Sequence, residues 1–211
     1  MKKSVYLFLA FLTLIMMFVP NFTANAKDSV IYIDPGHGGF DGGCVGLKLV
    51  EKDLTLDISL RLRKYLESVG YKVLLTREKD MALSKTKSGD IYKRVSLINN
   101  QNTLLYISIH ANFYPHSAIK GAQTFYKDSI DNKLLARLIQ ENLRRIDLEN
   151  KRVEKTITGK YLLDNVLKVG CLVEVGFLSN RKEEEKLCDN FYKDKIAYAI
   201  FIGVLSYLES I

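Results

Sequence analysis

Two histidines and two glutamates in this chain fall where the residue pattern puts strand ends and a helix start. Their types suit metal-assisted hydrolysis. His37 lies in Asp34-Pro-Gly-His-Gly-Gly, just after the apolar run 30–33. His110 lies in Ser108-Ile-His-Ala-Asn, at the end of the apolar run 104–109. Glu174 sits inside Cys171-Leu-Val-Glu-Val-Gly-Phe, and Glu51 opens a long amphipathic segment. Two histidines and a carboxylate form a common catalytic zinc set that leaves one position open for water. A further carboxylate that is not a ligand can act as general base on that water. His37, Glu51 and His110 are therefore candidate zinc ligands, and Glu174 the candidate base. The glycines around His37 allow a sharp turn and keep bulky side chains away.

Each residue also has a purely structural reading. His37 could be a turn histidine, His110 a satisfied strand-end histidine, and Glu51 a favourable charge at a helix N-terminus. Glu174 is harder to explain that way, because a carboxylate in so apolar a run is partly desolvated and needs a partner or a purpose. The four positions are far apart in sequence, so only the fold can bring them together.

The elements that must do so follow from hydrophobic periodicity. Strands are expected at 30–33, 71–76, 104–109, 122–126 and 172–175. Helices are expected at 53–69, with Leu54, Ile58, Leu62, Tyr65, Leu66 and Val69 on one face, and at 90–99, 132–146 and 191–208. Gly70 stops the first helix, and Asn180 with Glu183 forms a capping box for a short one. Strands alternating with helices predict a single α/β domain with a mostly parallel sheet, in which ligands gather at the C-terminal ends of strands.

Residues 1–26 read as a signal peptide, or alternatively as an uncleaved N-terminal anchor. Lys2 and Lys3 precede an apolar run that ends at Pro20, and Ala24-Asn-Ala supplies a small-x-small cleavage site. The catalytic domain is then 27–211, exported and extracytoplasmic. Loss of the two lysines lowers the net charge from +7 to +5 (7 − 2), a balance that suits an anionic wall or simply a solvated surface. No compact basic block with interleaved aromatics occurs, so nucleic-acid binding has no support. Of the three cysteines, Cys171 reads as a small core residue, and Cys44 lies near the His37 motif. His116, in Tyr114-Pro-His-Ser, reads as a turn residue outside the ligand set.

Taken together, the motifs resemble those of the zinc-dependent N-acetylmuramoyl-L-alanine amidases. They are Ile33-Asp-Pro-Gly-His-Gly-Gly, Glu51-Lys-Asp-Leu, Leu75-Thr-Arg-Glu-Lys-Asp, Ser108-Ile-His-Ala-Asn and Leu172-Val-Glu-Val-Gly-Phe-Leu-Ser-Asn. They occur in the family's order across the whole chain after residue 29. Gly121-Ala-Gln-Thr-Phe-Tyr and the lack of an appended wall-binding domain resemble the germination-specific type, which helps form muramic-δ-lactam in spore cortex. The resemblance implies a sheet of about six strands flanked by helices on both faces. It also implies one zinc on His37, Glu51 and His110, catalysis by Glu174, and a substrate of glycan strands bearing stem peptides. Asn112, Arg77 and Arg94 match family positions as candidate substrate contacts, although Arg77 and Arg94 also read as residues that hold loops. Cys44, and Gly170-Cys171 before the catalytic strand, depart from the family pattern without removing a ligand. Another exported zinc peptidase and an inactive wall-binding protein are the alternatives. With little room between His110 and Glu174 for an inhibitory helix, control in trans is expected, either by timed synthesis or by an exported activator protein.

Overall fold

The computed structural model describes residues 29–100 and 102–211. The expected signal segment, 1–26, lies outside them. In chain order the elements are β1 (Val30–Pro35), α1 (Glu51–Ser68), β2 (Lys72–Leu75), α2 (Lys87–Asn100), β3 (Thr103–Asn112) and β4 (Gln123–Tyr126). They continue with α3 (Ile130–Ile146), β5 (Lys155–Thr156), α4 (Tyr161–Asn165), β6 (Val169–Phe177), α5 (Arg181–Cys188) and α6 (Asn190–Leu208).

The six strands form one sheet in the order β2-β1-β3-β6-β4-β5. All neighbouring strands are parallel except β4 and β6. Side chains on a strand alternate between faces, and this sorts the core into two layers. Ile31 and Ile33 of β1 face a large cluster with Leu54 and Ile58 of α1, Ile139 of α3 and Ile200 of α6. Val30 and Tyr32 face a smaller one with Val95 and Ile98 of α2 and Leu162 and Leu163 of α4. Each large aliphatic side chain buried this way contributes about 1.5–3 kcal/mol. Helices α3 and α6 approach closely at Gly203, where an added Cβ would lie 2.6 Å from the Ile139 Cα.

The sheet is thus mostly parallel with helices on both faces, as expected. The expected helix at 90–99 is longer, and β5 and α4 are additional. Parallel pairing aligns the strand ends: Asp34 lies opposite Ser108, and His110 opposite Glu174. The C-terminal edge of β1, β3 and β6 therefore collects the chemically distinctive residues.

Candidate metal centre and catalytic cleft

His37 follows β1 in a loop that bends back on itself. It is the only described residue other than glycine with positive φ, at 61°. Such a conformation is uncommon for a side-chain-bearing residue and persists where the surroundings enforce it. Here Asp41 Oδ2 lies 2.8 Å from His37 Nδ1, and Lys87 in turn pairs with Asp41 at 2.7 Å. The opposite ring nitrogen, Nε2, faces Glu51 Oε1 at 3.2 Å.

Glu51 is the first residue of α1 and is buried. Its Oε1 also lies 2.9 Å from His110 Nδ1 and accepts a bond from the Ala111 N–H at 3.1 Å. Its Oε2 accepts from the Cys44 N–H at 2.8 Å. Despite burial, which would raise it, the two histidines hold the Glu51 carboxyl far below the ordinary carboxylate range. Burial would lower the His37 pKa, but Glu51 and Asp41 outweigh it and raise that value. Both imidazoles thus point a ring nitrogen at one ionised carboxylate. Ligand atoms of His37, Glu51 and His110 all lie within 4.8 Å of one another, and they are the one such group among the described residues that could hold a metal ion. Two imidazoles, a carboxylate and an outer carboxylate behind one imidazole match the donor chemistry of a zinc-type site.

Glu174 lines the same cleft, an open cavity of about 300 Å³. Its Oε2 is enclosed and has no hydrogen-bond partner. Burial pushes its pKa up to about 7, with His110 opposing the rise. A carboxyl balanced near neutrality can take and return a proton. The structure brings together all four residues proposed from sequence, and Asn112 also lines the cleft.

Arg77 and Arg94 do not line it. Both are 2% exposed. Arg77 donates to the carbonyls of Pro35, Gly36 and Lys52, at 3.1, 2.9 and 2.7 Å. Arg94 donates to the Pro35 and His37 carbonyls and to Asp34. They hold the His37 loop from beneath, so loop-holding replaces the substrate-contact reading for both. Asp34, buried itself, also accepts from the hydroxyls of Thr76 at 2.6 Å and Ser108 at 2.7 Å. The Cys44 thiol donates to the Ala111 carbonyl at 3.2 Å and is not in the ligand group. His116 is exposed, outside that group, and its Nδ1 accepts from Ala118 N–H.

Sequence reasoning missed Asp41, the partner of His37, although a carboxylate four residues past a candidate ligand was a usable signal. It also missed the Cys44 and Ala111 N–H groups that orient Glu51, which have no side-chain signature.

Residues 31–206 match the Amidase_3 family, described as N-acetylmuramoyl-L-alanine amidase. The chain belongs to this family. It is 44% identical over 218 residues to the germination-specific N-acetylmuramoyl-L-alanine amidase of Bacillus subtilis (strain 168), covering 94% of this chain and 92% of that one. Among solved structures it is similar to the CwlD amidase of Clostridioides difficile, in complex with the GerS lipoprotein, with a TM-score of 0.83 and 40% identity. That match covers 87% of this chain and 100% of the other. The catalytic domain of CwlV from Bacillus (Paenibacillus) polymyxa matches with a TM-score of 0.78 and 30% identity, over 86% and 98% of the two chains. This amidase is a peptidoglycan hydrolase, similar to that germination-specific relative. Its reaction breaks the amide between muramic acid and the L-alanine of the stem peptide, a role that fits the spore cortex.

Proposed function

We propose that this amidase is zinc-dependent, with His37, Glu51 and His110 as ligands and Glu174 as general acid–base. The observation that carries the reading is the convergence of two imidazoles on one buried carboxylate, next to a second carboxylate whose Oε2 has no partner. Zinc held there supplies a Lewis acid that lowers the pKa of water and polarises the amide carbonyl. Glu174 accepts the proton of the attacking water. It then passes that proton to the alanine nitrogen as the C–N bond breaks. Asp41 fixes the face that His37 presents, and the Cys44 and Ala111 N–H groups fix the Glu51 carboxylate. Asn112, on the cleft wall, is proposed to contact the substrate. The products are muramic acid with a free lactyl carboxylate and a peptide with a free N-terminal L-alanine. Closure of that product to a muramic-δ-lactam needs a separate deacetylating and cyclising activity.

The working location is extracytoplasmic, as a peptidoglycan substrate requires, with 1–26 as the export signal. An exported partner protein is proposed as activator. The complex of the similar CwlD amidase with a lipoprotein supports this. A partner that favours the metal-competent loop conformation would raise zinc affinity by linkage.

The test combines metal analysis with chromatography of muropeptide products. Glu174→Gln should retain zinc and lose hydrolysis by about 10²–10⁴-fold, whereas His37→Ala and His110→Ala should lose the metal. Full activity in Glu174→Gln would remove it as the base. Full zinc occupancy and fast turnover by the isolated protein would remove the need for an activator.

A further inference from the structure

Among the described residues that line the cleft, Lys160 is the one lysine or arginine. It stands just before α4, as its N-cap residue, and it is exposed. Other lysines near the site are already paired: Lys52 with Asp80 at 2.7 Å and Lys87 with Asp41 at 2.7 Å. Lys160 makes no ion pair or side-chain hydrogen bond among the described residues. It also lines a smaller recess beside the cleft, together with Asn112, Phe125, Ile157, Leu172 and Glu174. Its ammonium is near enough to bias the Glu174 carboxyl. An unpaired cation thus borders both the general base and a side recess.

The substrate offers a matching anion. The nitrogen released by hydrolysis belongs to L-alanine. The next stem residue is a D-glutamate joined through its side chain, so its α-carboxylate is free unless amidated. One extended residue spans about 3.3–3.6 Å. That carboxylate therefore follows the scissile bond closely enough for a flexible lysine next to the base to meet it. A charge-assisted hydrogen bond formed there would orient the peptide and discriminate against an amide, which leaves the ammonium without its counter-charge.

We propose that Lys160 is a substrate-binding residue that pairs with the free α-carboxylate of the second stem-peptide residue, so that the enzyme prefers stems in which this group is not amidated. The inference rests on the amidase activity and on the hydrolytic reading of Glu174.

The test uses two synthetic muropeptides that differ only in whether that group is a carboxylate or an amide. Wild type should show a KM about tenfold lower for the carboxylate form, the scale of one charged hydrogen bond. Lys160→Met should raise KM about tenfold on that substrate and leave the KM of the amidated substrate unchanged, while any change in kcat through Glu174 is common to both. Lys160→Arg should keep most of the preference. Equal kcat/KM of wild type on both substrates would overturn the proposal. So would an equal loss on both in Lys160→Met, which is the signature of an indirect effect on Glu174. Binding of both muropeptides to Glu174→Gln protein, with and without Lys160→Met, is measured in parallel, and absence of the preference there also overturns the proposal. Should wild type release no N-terminal L-alanine from either substrate while that binding preference persists, the hydrolytic reading fails and the Lys160 assignment stands.

Discussion

Replacing Arg94 by methionine keeps much of the aliphatic stem and deletes the guanidinium that joins Asp34, Asp90, Pro35 and His37. Arg94 and Asp34 are 2% and 1% exposed, so solvent screens their interaction little. Breaking a buried pair by removing one partner costs about 3–5 kcal/mol. An independent bound comes from the carboxylate left behind. Taking up a proton at pH 7, from a reference pKa near 3.9, costs about 4 kcal/mol, which caps the penalty Asp34 can impose. Against a domain stability of about 5–15 kcal/mol this leaves a folded but weakened protein. With a urea slope of about 2 kcal/mol/M, the unfolding midpoint should fall by about 2 M.

Two further readouts separate this account from a generic packing defect. Asp34→Asn in the Arg94→Met background removes the orphaned charge, so the two changes should couple by about 2–3 kcal/mol instead of adding. Stability should also respond to pH with opposite signs. In wild type, burial would raise the Asp34 pKa, but Arg94, Thr76 and Ser108 outweigh it and hold the value below the ordinary one. Wild type therefore keeps this stabilisation above the unfolded carboxyl pKa and loses it as pH falls through the lower folded value. In Arg94→Met the folded pKa rises above the unfolded one, so its penalty is present at pH 7 and relieved as pH falls through the raised value. The gap between the proteins should narrow from pH 7 to pH 5. Urea titrations at the two pH values measure it. A loss under about 1 kcal/mol, strict additivity with Asp34→Asn, or a gap independent of pH would each refute the reasoning.

Asp41→Asn should weaken zinc binding by about 10–100-fold, because it removes the carboxylate that orients His37; competition with a chromogenic chelator reads this, and unchanged affinity would count against the orienting contact. Gly43→Ala should reduce both stability and metal retention. Gly43 has φ of 70°, and its added Cβ would lie 2.5 Å from Glu51 Oε2 and 2.7 Å from His37 Cδ2. The conformational part is about 1–2 kcal/mol; thermal unfolding and zinc content check the two effects, and wild-type values for both would contradict the crowding.

The division between what the sequence reveals here and what it hides has a physical basis. His37, His110 and Glu174 are legible because apolar runs mark β1, β3 and β6, and a parallel sheet presents their C-terminal ends on one edge. Even so, β6 extends at both ends beyond the expected 172–175, through Gly170 and Gly176, since sheet pairing overrides the weak strand preference of glycine. Helix α2 begins at Lys87, ahead of the expected 90, although Gly89 lies in its first turn; Thr86 Oγ1 accepts from the Gly89 N–H there and compensates for the poor helix former. Strand β5 and helix α4, of 2 and 5 residues, are too short to show a period, and with them the placement of Lys160 stays hidden. The two arginines mark a different limit. Their match to family positions suggested contact with substrate, yet Arg77 donates mainly to backbone carbonyls, which any residue types could supply, and Arg94 divides its bonds between two such carbonyls and the carboxylates of Asp34 and Asp90. Side chains that perform the chemistry must have particular identities, whereas the groups that receive their supports need only particular positions. That asymmetry explains why the proposed ligand triad can be read from the chain while most of the apparatus holding His37 at positive φ cannot.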